Sequence, residues 1–195
     1  MPMRTKSTEH TKNKVALRQI AEVISGIYLK PSPEGEIAYL QVKDLLMDSP
    51  EKTASKVDSV PKIDNYLLRK GDLLFAGKGS TYLCKEYYLT IPAVPSTALY
   101  LIRLHSDIVS PEFLCWYLNH PAIVAQMMAS RVGSGTLMIH KPTLENIEII
   151  IPDKNTQKCI VELSDLQKRE EYLLKTIAEN RVLMTNQILM NELKK

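Results

Sequence analysis

From residue 153 to residue 195, apolar side chains recur every three or four positions and the residues between them are polar. All seven glycines and all eleven prolines lie at or before Pro152. Because glycine and proline are the residues that interrupt helices, this segment predicts one unbroken helix. At about 1.5 Å per residue the helix would be roughly 60 Å long, more than a domain of this size is wide. We therefore expect part of it to meet another chain.

The apolar residues of this segment form a stripe that is close to a heptad repeat, which is typical of a helix that pairs with a second helix. The stripe consists of Ile160, Leu163, Leu166, Leu173, Leu174, Ile177, Met184, Ile188 and Leu193. Asn155 or Thr156 is the expected N-cap of the helix. Glu170 and Asn180 interrupt the stripe and limit the registers that a partner helix can adopt.

The chain before Pro152 has short apolar runs separated by glycine and proline, which predict strands. The predicted strands lie at 37–42, 73–76, within 82–89, within 92–104 (the last at 98–103) and at 147–151. Residues 15–27 predict a strand, a helical turn at 17–23 and a second strand. The fold class is therefore α+β, with a mixed domain followed by one long C-terminal helix.

Two helices are predicted inside the mixed domain. Ser110 followed by Pro111 is an N-cap with proline at the first helical position. A second helix is expected from Pro121 to a point before Gly133, and its inner face would carry Ile123, Val124, Met127 and Met128. A short turn is expected at 141–144. Residues 47–63 are polar and contain two prolines, so this long connection is either disordered or a functional loop.

Charge and composition divide the chain into a flexible basic tail (1–14), a domain (15–152) and the helix (153–195). The tail has a net charge of +3, whereas residues 15–155 hold 14 Lys and Arg against 15 Asp and Glu, a net charge of −1. A nucleic-acid site would therefore need local placement of cations. No apolar run is long enough to span a membrane and the N-terminus lacks an apolar signal core, so we expect a cytoplasmic protein.

Catalytic and metal-binding motifs are not found in the sequence. Three cysteines and four histidines have no paired ligand spacing, so neither a disulfide framework nor a metal site is expected. There is no Gly-x-Ser-x-Gly elbow, no His-Glu-x-x-His and no dinucleotide fingerprint. We therefore expect a protein that is not an enzyme.

Two Gly-Ser segments flanked by cations are the candidate binding chemistry. Residues 77–80 (Gly-Lys-Gly-Ser) are not a nucleotide-binding P-loop, because Asp72 occupies its first glycine position and Gly79 follows the lysine. They do combine a flexible backbone with a lysine and a hydroxyl, which suits a phosphate group. Residues 133–136 (Gly-Ser-Gly-Thr) repeat this chemistry. A tight turn with a solvated lysine, and a plain helix–strand loop, are the alternative interpretations.

The order of four motifs resembles the specificity subunit of type I restriction-modification systems. The motifs are Leu-Arg-Lys-Gly-Asp-Leu-Leu-Phe-Ala-Gly-Lys-Gly-Ser (68–80), Ser-Pro-Glu-Phe-Leu-Cys-Trp-Tyr-Leu-Asn (110–119), Val-Gly-Ser-Gly-Thr (132–136) and Leu-Glu-Asn-Ile-Glu-Ile-Ile-Ile-Pro (144–152), followed by the long helix. The resemblance covers the chain from about residue 15 onward.

The resemblance implies a target recognition domain that reads half of a bipartite site in double-stranded DNA, and a helix that acts as a spacer. It also implies a methyltransferase subunit that carries S-adenosylmethionine and, indirectly, a restriction subunit that uses ATP, with no cofactor in this chain. The family's usual form has two recognition domains and two helices, whereas this chain has one of each. It therefore resembles a half subunit, two copies of which could form a homodimer through the helix.

The residues expected to contact DNA were chosen for charge or a hydroxyl in glycine-rich or exposed segments. They are Lys78, Ser80, Lys85, Arg131, Ser134, His140 and Lys141. The residues expected in the helix partner seam are Ile160, Leu163, Leu166, Leu173, Ile177, Met184 and Ile188. A protein-interaction module that no longer reads DNA is the alternative function, favoured by the net charge of −1. A self-contained enzyme is a third.

Overall fold

The structure, a computed structural model, describes residues 13–47, 49–78, 82–129 and 138–194. It separates into two compact units, Met1–Gln157 and Lys158–Lys195. Within the described residues, no helix is both long enough and apolar enough to cross a membrane.

Nine short strands and six helices make up the described parts of the chain, as the α+β prediction requires. The strands are β1 (Asn13–Ala16), β2 (Ala21–Ser25), β3 (Ile37–Leu40), β4 (Ser55–Val57), β5 (Leu73–Ala76), β6 (Leu83–Glu86), β7 (Ala93–Pro95), β8 (Leu99–Leu104) and β9 (Glu148–Ile151). The helices are α1 (Val42–Leu45), α2 (Pro50–Thr53), α3 (Pro111–Asn119), α4 (Pro121–Ala129), α5 (Lys141–Glu145) and α6 (Lys154–Glu192). Turns of 3₁₀ helix lie at Leu17–Gln19 and Ile63–Asn65.

The strands form three sheets in the first unit. The largest is antiparallel, with strand order β2-β8-β5-β6. A three-stranded sheet has the order β4-β3-β7, in which β3 is antiparallel to β4 and parallel to β7. The remaining sheet pairs β1 with β9 and so joins the two ends of the domain.

The main apolar core lies between the two larger sheets. Side chains alternate across a strand, so Leu74 and Ala76 of β5 lie on the same face as Leu99 and Leu101 of β8. This face packs with Ala38 and Leu40 of β3, Ala93 of β7 and the neighbouring residues Leu45, Leu68 and Tyr87. All ten residues are buried, so the two sheets are fixed against each other by removal of apolar surface from water.

Helix α3 begins at Pro111, as the Ser110-Pro111 signal predicts, and it packs against β6. The Ser110 hydroxyl accepts a hydrogen bond from the backbone N–H of Phe113 at 3.2 Å, which confirms the predicted N-cap. At the other end of the helix, the Asn119 side chain bonds to both the backbone N–H and the carbonyl of Cys84, each at 2.8 Å. Helix α3 is therefore fixed to an edge strand of the largest sheet by polar contacts as well as by buried Phe113 and Leu114.

Three details of the sequence prediction are wrong. The helical turn after β1 covers only Leu17–Gln19, because Ala21–Ser25 pairs along its whole length with β8. Residues 47–63 are not one irregular connection: outside residue 48 they contain α2 and β4, and β4 pairs with the edge of β3. On α4, Met127 is buried but Met128 is exposed.

The long helix begins one residue after its cap. The Asp153 carboxylate accepts hydrogen bonds from the backbone N–H groups of Asn155 and Thr156, each at 3.0 Å, and from the Thr156 hydroxyl at 2.6 Å. These bonds, above all those from Thr156, lower the pKa of Asp153 below its ordinary value. The cap is therefore Asp153, and the expectation of Asn155 or Thr156 is wrong.

Candidate nucleic-acid interface

Ser96, the residue after β7, is the point at which the ends of three other strands meet. Its backbone N–H donates to Leu40 O at the end of β3 (2.8 Å), and its carbonyl accepts from Leu99 N at the start of β8 (2.9 Å). Ile27, two residues beyond β2, forms a parallel bridge with Ser96 and donates to Pro95 O at 3.0 Å. The ends of β2, β3 and β7 and the beginning of β8 therefore share one edge of the domain.

Residues 77–78 and 138–139 also meet at this edge. Lys78 pairs with Met138 in an isolated antiparallel bridge, and Ile139 N donates to Gly77 O at 2.8 Å. The buried Tyr100 hydroxyl donates to Ile139 O at 3.0 Å. Burial raises the pKa of Tyr100 above its ordinary value, which keeps the hydroxyl protonated as a donor. Lys78 and Met138 are therefore held next to each other although they are far apart in sequence.

Glycine is required at two positions of this edge because the backbones approach so closely. A Cβ atom at Gly26 would lie 2.1 Å from Ser96 O, and one at Gly77 would lie 2.4 Å from a ring carbon of Tyr100. Both distances are far below van der Waals contact. Close packing of main chain at Gly26 and of an aromatic ring at Gly77 thus defines the edge.

We call residues 26–31, 41–43, 77–78, 95–98 and 138–141 the loop edge. These segments contain four lysines (Lys30, Lys43, Lys78 and Lys141), one histidine and no Asp or Glu. The acidic residues Glu36, Asp72 and Glu86 lie at the opposite ends of β3, β5 and β6. Although the net charge of residues 15–155 is −1, the loop edge is thus locally cationic, which is the arrangement that attracts phosphate groups.

An open groove of about 470 Å³ lies within the loop edge. Tyr28 is 71% exposed at this groove, and Tyr39 is fixed there because its hydroxyl donates to Ile27 O at 2.9 Å. Its polar lining also includes Gln41, Lys43, Ser96 and Thr97. The groove therefore combines an accessible aromatic ring with hydrogen-bonding groups and a cation.

The structure places three of the seven predicted DNA-contact residues at the loop edge: Lys78, His140 and Lys141. His140 is exposed, whereas Lys141 forms an ion pair with Glu145 at 3.6 Å, one turn along α5. A phosphate would therefore compete with Glu145 for the Lys141 ammonium group. Ser80, Arg131 and Ser134 lie outside the described residues.

Lys85 lies away from the loop edge. It is opposite Leu74 in the β5–β6 pair, and its ammonium group donates to Met47 O at 3.3 Å. This contact fixes the chain just before α2, so Lys85 has a structural partner where a DNA contact was predicted.

Sequence reasoning missed four residues of the interface: Tyr28, Lys30, Gln41 and Lys43. Tyr28 and Lys30 lie in a proline-containing connection and Lys43 lies in a one-turn helix, neither of which has a motif of its own. An exposed aromatic residue next to a lysine in a loop was the available signal. This signal could not be assigned to a binding site, because the sequence does not show that these loops converge.

The described residues contain no group of three or more His, Cys, Asp or Glu side chains placed to hold a metal ion. Burial raises the pKa of Cys84 well above its ordinary value, and a hydrogen bond with Cys115 adds to the shift. The Cys84 sulfur therefore stays protonated, which is the opposite of what a nucleophile needs.

The second unit, from Lys158 onward, is helical to Glu192 and has apolar side chains on its surface. Six of the seven residues of the predicted partner seam are between 47% and 65% exposed: Leu163, Leu166, Leu173, Ile177, Met184 and Ile188. Ile160 is half-buried. A further set at the C-terminal end, Val182, Leu183, Leu189 and Met190, is exposed to a similar extent.

The sequence model of the type I restriction modification DNA specificity domain matches residues 9–179. None of the curated proteins compared with the chain matches it.

Solved structures with the same fold include the S subunit of a type I restriction-modification system from M. genitalium, with a TM-score of 0.56 and 18% identity over 89% of this chain. The HsdS subunit from Thermoanaerobacter tengcongensis gives a TM-score of 0.60 and 20% identity over 89% of this chain. A chain from a study of complex assembly and conformational transition of the type I R-M system gives a TM-score of 0.64 and 20% identity over 92% of this chain.

The chain spans less than half of each of these structures, namely 44%, 44% and 41% of their lengths. At 18–20% identity the structural matches establish the fold, an α+β domain followed by a long helix. The sequence match extends over most of the domain and into the helix. The protein therefore belongs to the family of type I restriction modification DNA specificity domains.

Proposed function

We propose that the loop edge binds double-stranded DNA and reads half of a bipartite target sequence for a type I restriction-modification system. The observation that carries this proposal is the local concentration of cations: the segments of the loop edge contain four lysines and no Asp or Glu. The side chains of Lys30, Lys43 and Lys78 would contact phosphates and fix the register of the DNA. Polar side chains among them would reach base edges and give sequence preference.

The domains of the chain support a half-subunit arrangement. One recognition domain and one long helix account for 41–44% of the length of the matched subunits. Two copies paired antiparallel through the seam from Leu163 to Ile188 would rebuild two domains related by a two-fold axis. Such a homodimer would read a symmetric bipartite sequence, with α6 setting the distance between its halves.

The apolar surface of α6 is wider than one helix partner can cover. At 100° per residue, Val182, Leu183 and Met184 point in three directions, and Ile188, Leu189 and Met190 repeat those directions less than two turns later. All six are exposed. A second copy would cover the side of Met184 and Ile188, and a methyltransferase subunit would cover the others. S-adenosylmethionine would then bind to the methyltransferase subunit and ATP to the restriction subunit. This chain would catalyse neither methylation nor restriction.

The DNA-binding proposal is tested by the salt dependence of binding to a pool of labelled duplexes of random sequence. Replacing Lys43 and Lys78 together by alanine should weaken binding and reduce the slope of log K against log salt by about two, one unit for each lost phosphate contact. The matched control replaces Arg69 and Lys70, which are exposed at the opposite end of β5 and change the net charge equally.

The control variant should bind with the slope of the unmodified protein. If both double variants bind equally well, or if the unmodified chain shows no steep salt dependence, the loop edge is not the DNA-binding surface. In the second case the domain acts as a protein-interaction module.

A further inference from the structure

Two polar residues interrupt the apolar seam of α6, and neither has a partner on its own helix. Glu170 and Asn180 are both exposed, and neither forms a hydrogen bond or an ion pair with any residue that the structure describes. On the outer face of the helix, by contrast, Lys175 pairs with Glu179 one turn away at 3.9 Å. The two polar residues of the seam are therefore available to a second helix.

Glu170 and Asn180 occupy the contact positions of a heptad repeat. The a positions are Leu163, Glu170, Ile177 and Met184, and the d positions are Leu166, Leu173, Asn180 and Gln187. In a two-helix pair the a and d side chains form the buried seam. A carboxylate or an amide is stable there only when the facing residue can hydrogen-bond to it.

The charge of Glu170 favours one direction for a second copy of this helix. In a parallel pair each a residue meets the same residue of the other copy, so two Glu170 carboxylates would be buried against each other. Two like charges out of water repel each other without compensation. In an antiparallel pair each a residue lies level with a d residue of the other copy, so Glu170 can meet an amide.

One antiparallel register satisfies both polar residues at once. Glu170 and Asn180 lie five residues on either side of Lys175, so a two-fold axis at that level sets Glu170 of each copy opposite Asn180 of the other. The amide N–H of Asn180 can then donate to the Glu170 carboxylate in two symmetric layers. The other layers pair Leu173 with Ile177, Leu166 with Met184 and, nearest the ends, Leu163 with Gln187.

The residues that flank the seam support the same register independently. In an antiparallel pair the e positions of the two helices face one another, and here they pair Ile160 with Ile188, Leu174 with Leu174 and Gln167 with Arg181. Apolar side chains thus meet apolar ones and polar side chains meet polar ones. A slip by one heptad in either direction would instead set Asn180 opposite Leu163 or Ile177, where its amide has no partner.

We propose that α6 pairs with a second copy of this chain in one antiparallel register, determined by the hydrogen bond between Asn180 of each copy and Glu170 of the other. The inference rests on the homodimer in the proposed function and names the residues that set its register. A slip by one heptad would move the helices past each other by about 10 Å, the length of about three base pairs. Glu170 and Asn180 would therefore set the spacing between two half-sites.

The main experiment is a double-mutant cycle on the full chain, with the dimer dissociation constant measured by sedimentation equilibrium. Asn180→Leu should weaken the dimer although it adds an apolar side chain to the seam, because it leaves Glu170 facing leucine. Combined with Glu170→Leu it sets leucine opposite leucine, and the dimer should recover. We expect the double variant to bind roughly 10-fold more tightly than the two single effects combined.

The matched control replaces the same two residue types outside the seam. Glu171 and Asn186 are exposed on α6 at b and c positions of the heptad repeat. Glu171→Leu and Asn186→Leu should have small effects on the dissociation constant, and these effects should be additive. The emission of Trp116 checks that the domain of each variant is folded.

Cysteine cross-linking tests the direction of the helices separately. Gln167→Cys is made in one sample and Arg181→Cys in another, both with Cys159→Ser to remove the exposed native thiol. In the proposed register, mild oxidation should join the two variants when they are mixed. Neither variant should cross-link with itself, because equivalent positions would lie about 21 Å apart along the helices.

The outcomes separate this inference from the proposed function. A dimer in which the two leucine replacements are additive, or in which each cysteine variant cross-links with itself, overturns the register and leaves the homodimer intact. A chain that stays monomeric overturns the register and the homodimer together. DNA binding by the loop edge has its own test in the salt dependence, which none of these results decides.

Discussion

Loss of the ion pair between Arg103 and Asp72 should unfold the domain far more easily than loss of any surface pair. The Arg103 guanidinium contacts the carboxylate twice, from Nε to Oδ1 at 3.0 Å and from Nη2 to Oδ2 at 2.6 Å. It also donates to Leu67 O at 2.8 Å. The hydrogen bonds that Arg103 donates to the Asp72 carboxylate, together with the negative charge of that group, raise the pKa of Arg103 above its ordinary value.

The size of the expected loss of stability follows from the burial of the two side chains. The Asp72 and Arg103 side chains are 4% and 17% exposed, so water screens the pair little. Replacing Arg103 by methionine would leave the carboxylate buried with one remaining donor, Arg69 N at 2.7 Å. A buried charge left without its partner costs about 3–5 kcal/mol. For a domain of this size that corresponds to a fall of roughly 10 °C in Tm.

The single tryptophan of the chain provides a specific assay. Trp116 lies on α3 with its ring 5.6 Å from those of Phe113 and His120, so its emission reports on unfolding of the domain. Urea denaturation followed by this emission gives the free energy of unfolding. The control is Lys168→Met, which removes an exposed ion pair with Asp165 and should cost less than about 1 kcal/mol.

A second variant separates the pair from a general loss of packing. Asp72→Leu combined with Arg103→Met removes both charges, so it should be more stable than Arg103→Met alone. The reasoning is refuted if Arg103→Met unfolds within about 1 kcal/mol of the unmodified protein. It also fails if the double variant is no more stable than the single one.

Two further predictions concern α6. Ile177→Glu, on the proposed seam, should convert a homodimer to monomer in sedimentation experiments, whereas Val182→Glu, on another face of the helix, should leave the dimer intact; a monomeric unmodified chain would contradict the pairing. Asp153→Asn keeps a capping side chain without its charge. Because the pKa of Asp153 is lowered on folding, its charge stabilises the protein above the ordinary aspartate pKa, and this contribution is lost as pH falls through the folded value. In thermal melts the unmodified protein should exceed Asp153→Asn in Tm at pH 7, and the difference should begin to shrink near about pH 4 and vanish only below the lowered pKa of the folded protein; a constant difference would contradict it.

The elements that could be predicted are those with a local cause. The helix from Lys154 to Glu192 follows from a run without glycine or proline, and α3 follows from a serine and a proline at its start. Strand β4 could not be predicted, because Ser55, Lys56 and Val57 have no apolar alternation. They form a strand because β3 offers an unpaired edge to them. The cap of α6 was ambiguous for another reason, since Asp153, Asn155 and Thr156 are all capping residue types.

The candidate site was only partly predictable for a similar reason. Lys78 and His140 were selected from glycine-rich segments, and each lies at the loop edge. That they lie on the same edge depends on a bridge between residues 60 positions apart. Tyr28 and Lys43 belong to other connections, and only the hydrogen bonds around Ser96 bring those connections to the same place.

The way the loop edge is held together bears on how its specificity could change. Its framework consists of backbone hydrogen bonds, from Ser96 N to Leu40 O, from Ile27 N to Pro95 O and from Ile139 N to Gly77 O. Such bonds do not depend on the side chains of the intervening residues. Exposed positions such as Tyr28 can therefore change without loss of the fold, while Gly26 and Gly77 cannot accept a Cβ atom. Under the proposed function, a surface built in this way would acquire a new DNA sequence preference through side-chain replacement alone.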